Sequence, residues 1–155
     1  MERIAVYAGS FCPFTKGHED IVRQALPLFD TIIILVGKNS QKKDVFSVED
    51  RLKWISRLYV NVPNVYPFTH DGLTVNFCKS ANARYLIRGL RSAQDFESEQ
   101  AMAEINHRLN PDVETVFFIA SLQYRNVSSS LVRELWALKA DYSPYLSYPL
   151  PPYQP

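Results

Sequence analysis

Short apolar runs and amphipathic stretches alternate along the chain from its start. Ile4 to Ala8 is brief, apolar and β-compatible. After a loop punctuated by Gly and Pro, His18 to Leu28 sets Ile21, Val22, Ala25 and Leu28 on one helical stripe, which Pro27 limits. Thr31 to Val36 reads as a strand buried on both faces. A polar loop around Gly37 to Asp44 leads to Ser47-Val48-Glu49-Asp50, a capping-box-like start for a helix that carries Leu52, Ile55 and Tyr59. Asn64 to Phe68 reads as a third strand, and Asp71-Gly72 marks a turn.

Leu73 to Ala81 then supplies a short helical stripe, followed by the buried strand Tyr85-Leu86-Ile87. A helix from about Gln94 to Leu109 is expected to turn Met102, Ile105 and Leu109 inward, with Asn110-Pro111 ending it before the strand Thr115 to Ile119. Ser128 to Ala140 forms the last helix, with Leu131, Leu135 and Leu138 on one face. This order implies an α/β fold, an open, parallel five-stranded sheet with helices on both faces, whose ligand site lies outside the carboxyl ends of the strands.

Composition narrows the reading. A length of 155 residues fits one domain, and 46% hydrophobic with 21% charged residues is ordinary for a soluble chain. The domain is expected to run over residues 1–140. The longest apolar run, Ile32 to Val36, is far too short to span a bilayer, so no membrane partner is expected. With 17 Lys and Arg against 16 Asp and Glu, no global field draws a polyanion, and the aromatics form no platform interleaved with basic residues, so no nucleic-acid partner is expected either. Any anion site must be built locally. Cys12 and Cys78 suit neither a disulfide framework nor a zinc site, and with no signal core at Met1-Glu2-Arg3 they point to reduced thiols in a cytoplasm. Residues 141–155 concentrate Pro and Tyr and are expected to form an extended, partly disordered tail, the alternative being a segment packed on a neighbouring subunit.

Three clusters carry chemistry. Between the first strand and first helix lies Gly9-Ser10-Phe11-Cys12-Pro13-Phe14-Thr15-Lys16-Gly17-His18, where free amides, a hydroxyl and an imidazole on the opening turn suit a phosphate. A common turn with a capping or packed His18 is the plainer alternative. Arg88-Gly89-Leu90-Arg91 sets two guanidinium forks at a strand end, against the alternative of surface charge. Ser128-Ser129-Ser130 opens the last helix and offers a second nest of hydroxyls and amides, against plain N-capping. Three such devices at one sheet edge exceed what capping and surface charge explain. His70 and His107 have no ligand-spaced partners and read as surface or capping residues, and Trp54 and Trp136 as core or interface.

The loop lacks the endings of a Walker or dinucleotide motif. It resembles the T-x-G-H signature of the nucleotidyltransferase superfamily, here Thr15-Lys16-Gly17-His18. With Lys42 in the polar loop, Leu86 to Arg91, Asp95-Phe96-Glu97 and Val127 to Glu134, the chain resembles the bacterial phosphopantetheine adenylyltransferase family along nearly its whole length. The resemblance implies a Rossmann-like fold and reversible adenylyl transfer from Mg²⁺-bound ATP to 4′-phosphopantetheine, giving dephospho-coenzyme A and pyrophosphate, in a cytoplasmic homohexamer. It implies a catalytic set of His18, Lys42 and Ser10. Nucleotide positions are implied at Ser10, Phe11, His18, Gly89, Leu90, Arg91 and Glu99 and along Tyr124, Arg125, Asn126, Val127, Ser128, Ser129 and Ser130. Acceptor positions are implied at Ser10, Lys42, Thr74 and Arg88, with no protein metal ligand. Read without the resemblance, Lys42-Lys43 in a polar loop is more often just solvated charge.

The chain departs from the family pattern at Cys12, where aspartate is common, at Ser98 for tyrosine and at Tyr124 for tryptophan. Cys12 is accordingly expected as an accessible thiol near the site. Related transferases with other acceptors or nucleotides, of the glycerol-phosphate cytidylyltransferase or nicotinamide-nucleotide adenylyltransferase type, and a catalytically silent nucleotide-binding module, are the remaining readings.

Overall fold

A computed structural model describes residues 1–38 and 44–155. Lys42 lies outside the described residues. The strands are β1 (Ile4–Gly9), β2 (Thr31–Gly37), β3 (Val65–His70), β4 (Tyr85–Leu90) and β5 (Glu114–Ile119), all parallel, in the order β3-β2-β1-β4-β5. The crossovers are α1 (Lys16–Ala25), α2 (Val48–Tyr59), α3 (Thr74–Ser80) and α4 (Ala93–Leu109), and α5 (Ser129–Ala137) follows β5 after one 3₁₀ turn at Leu122–Tyr124. Chain order reverses at the β1/β4 boundary, and the crevice of an open α/β sheet opens at such a switch point.

Alternation along the strands divides the core. Ala5, Tyr7, Ile32, Ile34, Val36 and Ile87 face α1 and α2, where Ile21, Val22, Ala25 and Ile55 cover them. Val6, Ile33, Leu35 and Leu86 face the other way onto Val75 and Cys78 of α3. Burial on both faces is why β1 and β2 read as continuous apolar runs. Ser47 caps α2 as its spacing predicts, accepting from the Asp50 amide at 3.1 Å.

Expectations for Leu28, α4, Leu138, the tail and Cys12 are corrected. Leu28 falls beyond the end of α1 and is 50% exposed, because the helix stops at Ala25, ahead of Pro27. On α4 no residue is buried: Met102, Ile105 and Leu109 are 52%, 50% and 55% exposed. Their spacing places them on one face, but nothing within the described residues covers that face. Leu138 likewise lies past the end of α5 and is exposed. Finally, the tail is folded onto its own domain. Leu146 and Leu150 are buried beside Phe46, Val132 and Cys12, with Trp54, Trp136, Tyr142, Tyr145 and Tyr148 packed around them. Prolines exclude a helix there but not burial: the apolar and aromatic residues between them supply the contacts, and hydrogen bonds such as Trp136 Nε1–H to the Pro151 carbonyl (2.6 Å) fix their register. The same cluster buries Cys12 to 5% exposure, so its thiol is a core group and not an accessible one. Cys78 is fully buried, and burial pushes its thiol up to about 11.

Candidate active site

The carboxyl ends of β1 and β4 and the amino ends of α1 and α5 surround a cleft of ≈ 350 Å³. Of the positions singled out in the sequence, Ser10, Phe11, His18, Gly89, Arg91, Glu99, Tyr124, Val127 and Ser128 to Ser130 line it. Leu90, Arg125 and Asn126 are not among its lining residues. A second cleft of ≈ 380 Å³ lies on the β2 side and is lined by Lys38, His70, Gly72 and Thr74. Ala8, Gly9, Ser10 and Arg88 border both. The two clefts therefore meet over the end of β1.

His18 is held from three sides. Thr15, the N-cap of α1, accepts the His18 amide through its hydroxyl (3.4 Å), and its own N–H donates to His18 Nδ1 at 2.9 Å. This is a capping box in which an imidazole takes the place of the usual carboxylate. Because Nδ1 accepts, the neutral ring carries its proton on Nε2. The rings of Phe11 and Phe14 stand 5.1 and 5.2 Å from the imidazole, and Tyr7 is 6.2 Å away. This apolar enclosure, with the nearby charges of Arg91 and Arg88, pushes the His18 pKa down to about 3. His18 is thus a neutral donor across the physiological range. Phe11 closes the enclosure from a left-handed backbone conformation (φ 47°), an uncommon state for a residue with a Cβ.

Both guanidiniums are tethered. Arg88 donates Nε–H and Nη2–H to the two Glu99 oxygens at 2.7 and 2.6 Å and Nη1–H to the Ala8 carbonyl at 2.6 Å. The Glu99 hydrogen bonds are the main reason its pKa rises, so the charge stays on while the fork is aimed. Glu99 accordingly serves here as the anchor of Arg88. Asp95 accepts from the Arg91 amide (2.9 Å) and Nε–H (3.3 Å). At Gly89 an added Cβ would stand 3.0 Å from Ile21 Cγ1, so α1 approaches β4 closely only because this residue has no side chain.

The serine run works differently from the expected nest of hydroxyls. Ser128 Oγ caps α5 by accepting from the Leu131 amide (3.1 Å), Ser129 Oγ donates to the Pro13 carbonyl (2.7 Å), and Ser130 Oγ accepts from Arg133 (3.2 Å). The Ser129 hydroxyl locks α5 onto the His18 loop, the other two bond within α5, and the Ser129 and Ser130 amides of the first turn are the groups the helix offers an anion.

Two supporting residues were not legible as such. Arg51 is 1% exposed and donates to the carbonyls of Phe46 (3.1 Å), Gly37 (3.1 Å) and Ser10 and to the Asp44 carboxylate (2.7 Å). It ties the phosphate-side loop to the ends of the polar loop. Asp20, 2% exposed, accepts from the Ser121 amide and hydroxyl, each at 3.0 Å, and from Arg23 and Gln24, which draws the segment after β5 onto α1. Burial alone would raise its pKa, but these hydrogen bonds prevail and hold it low. Neither role is visible in the local sequence; Asp20 shows its purpose only beside Ser121, one hundred and one positions away. His107, as a surface residue, lies 3.6 Å from Glu114, whereas His70 Nε2 is buried without a partner at the edge of the second cleft.

The described residues contain no group of three or more His, Cys, Asp or Glu side chains able to hold a metal. The two carboxylates of the first cleft, Asp95 and Glu99, are turned onto arginines. No helix among the described residues is long and apolar enough to cross a membrane.

Comparison with known proteins agrees with this geometry. The cytidylyltransferase-like family model matches residues 6–135. The chain is 45% identical over 148 residues to phosphopantetheine adenylyltransferase of Cytophaga hutchinsonii, covering 96% of this chain and 99% of that one. It is 46% identical over 135 residues to the protein of the same name from Leptospira biflexa, covering 87% and 84%. Among solved structures, a bifunctional NMN adenylyltransferase/ADP ribose pyrophosphatase from Francisella tularensis superposes with a TM-score of 0.71 at 16% identity, over 94% of this chain and 45% of that longer one. That likeness is one of fold.

Proposed function

The chain belongs to the phosphopantetheine adenylyltransferase family, within the cytidylyltransferase-like proteins, and from that premise we propose how its two clefts divide the reaction. The enzyme is a nucleotidyltransferase that moves an adenylyl group from ATP to 4′-phosphopantetheine. The nucleotide takes the cleft between α1, β4 and α5, and the acceptor takes the cleft lined by Lys38 and Thr74. The observation that carries this reading is the shared border: Ser10 and Arg88 belong to both clefts, so two phosphates seated on them meet where the clefts join.

An oxygen of the acceptor phosphate attacks the α-phosphorus of ATP in line, one P–O bond forms, the bond to the β-phosphate breaks, and pyrophosphate leaves. The nucleophile is already an anion, so no proton need be removed, and the residues serve positioning and charge neutralisation. His18 Nε2–H donates to the α-phosphate as negative charge grows there, Arg88 bridges the two phosphates, and Arg91 with the α5 amides holds the rest of the triphosphate. Lys42 joins the acceptor phosphate in this reading. Magnesium arrives on the triphosphate, since the carboxylates of the cleft are committed to arginine and the ion normally binds through phosphates and water. The uncovered face of α4, with Met102, Ile105 and Leu109, is the surface through which the chain joins the family's homohexamer.

The test is pyrophosphate release from Mg-ATP with 4′-phosphopantetheine, set against CTP and against nicotinamide mononucleotide as acceptor. Preference for ATP and 4′-phosphopantetheine is expected. Equal or greater turnover with either competitor would overturn the assignment.

A further inference from the structure

The C-terminal tail makes its contacts with the loop that holds His18, on one peptide group in particular. Tyr148 donates its hydroxyl to the Phe14 carbonyl at 2.8 Å. That carbonyl belongs to the same peptide plane as the Thr15 N–H, which donates to His18 Nδ1 at 2.9 Å. A continuous line of hydrogen bonds thus runs from the Tyr148 phenol through the 14–15 peptide to the imidazole. Drawing density onto a carbonyl oxygen makes the N–H of its peptide a stronger donor, so each bond reinforces the next. The neighbouring contacts act on the same turn: the Lys16 amide donates to the Tyr145 carbonyl (2.9 Å), Lys16 Nζ donates to the Ser143 carbonyl (3.1 Å), and Ser147 Oγ donates to Glu19. Tyr148 is itself held by Trp54 of α2, ring centres 5.5 Å apart, and Trp54 by Phe46 at 5.2 Å. Leu146 and Leu150, both buried, anchor the segment on either side.

We propose that residues 141–155 form a strap that orients the catalytic imidazole, with Tyr148 as the positioning residue that acts on His18 through the Phe14–Thr15 peptide. The inference rests on the adenylyl-transfer reading only for its kinetic arm. Among the described residues, the tail's hydrogen bonds to the rest of the domain end on Phe14, Lys16, Glu19 and Trp136, none of which lines the nucleotide cleft. Its loss should therefore change how well His18 is aimed more than how tightly ATP is held. A 1 Å error in such a donor costs rate before it costs ground-state binding.

The experiment compares the full chain with Tyr148→Phe, which keeps the ring against Trp54 and removes the hydroxyl. With folding verified by thermal melting, kcat should fall about 3- to 10-fold, the effect of one hydrogen bond, with KM for ATP within about twofold of the parent. In ¹⁵N-resolved spectra the Thr15 amide proton should move upfield and the His18 ring nitrogens should shift, while amides of β2 and α3 stay in place. Parent-like kcat with unmoved Thr15 and His18 signals in a folded Tyr148→Phe protein would overturn the strap. If that protein does not fold, Ser147→Ala decides by the same signals, with a smaller displacement in the same direction expected and none counting against the proposal. Should the parent chain release no pyrophosphate from ATP and 4′-phosphopantetheine, the functional reading falls while the spectra still judge the strap.

Discussion

The two clefts that meet over β1 are built to different standards. In the first cleft, proposed for the nucleotide, His18 is fixed by Thr15, Arg88 by Glu99, Arg91 by Asp95 and the α5 turn by Ser128 and Ser129. In the second cleft, proposed for the acceptor, the border includes an exposed Lys38, a half-buried Thr74, Gly72 at a φ of 130° and a His70 whose buried Nε2 has no partner among the described residues. The difference teaches where accuracy is needed. Charge develops around the α-phosphorus, and groups that stabilise it must already point there, because reorienting dipoles during reaction consumes part of the stabilisation. A flexible acceptor arm needs only enough contact to hold its phosphate at the meeting point.

The contrast predicts which substitutions act on rate and which on binding. His18→Ala should produce the largest effect, lowering kcat about 10²- to 10³-fold with the fold intact, as for loss of one transition-state donor. Near-normal turnover at saturating substrates would remove His18 from the chemistry. Arg88→Gln comes next: it strips the shared border of charge and leaves Glu99 unpaired, so kcat/KM should fall about 10- to 100-fold for both substrates. A loss confined to one substrate would break the picture of a common wall. Thr74→Val on the loosely built side should raise only the acceptor KM, by about 2- to 10-fold, with kcat and the KM for ATP unchanged. A matching fall in kcat would show that the second cleft is also tuned for the transition state.

The smallest effect expected is a missing titration. With its pKa held at about 3, free-enzyme His18 should keep neutral-ring nitrogen shifts between about pH 5 and 8. The same displacement bears on stability. In the unfolded chain the ring takes up a proton near 6.5, and in the folded chain it resists until about 3. The unfolded state thus binds more protons across that window, so this group's contribution is complete above about 6.5 and is lost as pH falls towards 3. Denaturant midpoints that rise on acidification through this range, or a His18 resonance that titrates near neutrality, would contradict the enclosed neutral ring.

Much of this protein was decided by local sequence. Short apolar runs located all five strands, and Ser47 marked the start of α2, because strand burial and N-capping depend on residues a few positions apart. The T-x-G-H, Arg88 to Arg91 and Ser128 to Ser130 segments could be placed around one cleft because each sits where a strand ends or a helix begins, which the parallel pattern makes one edge. What is assembled from distant parts stayed out of reach. The stripe on α4 had the right spacing and no partner within the chain, since periodicity tells which residues share a face and not what lies opposite. The roles of Arg51 and Asp20 exist only through tertiary contacts, which surround them with carbonyls and a serine from elsewhere. The Pro- and Tyr-rich end had no repeat to read. Its place against Phe14 and Lys16 depends on the shape of an aromatic cluster drawn from α2, α5 and the first loop, and only the folded chain brings those rings together.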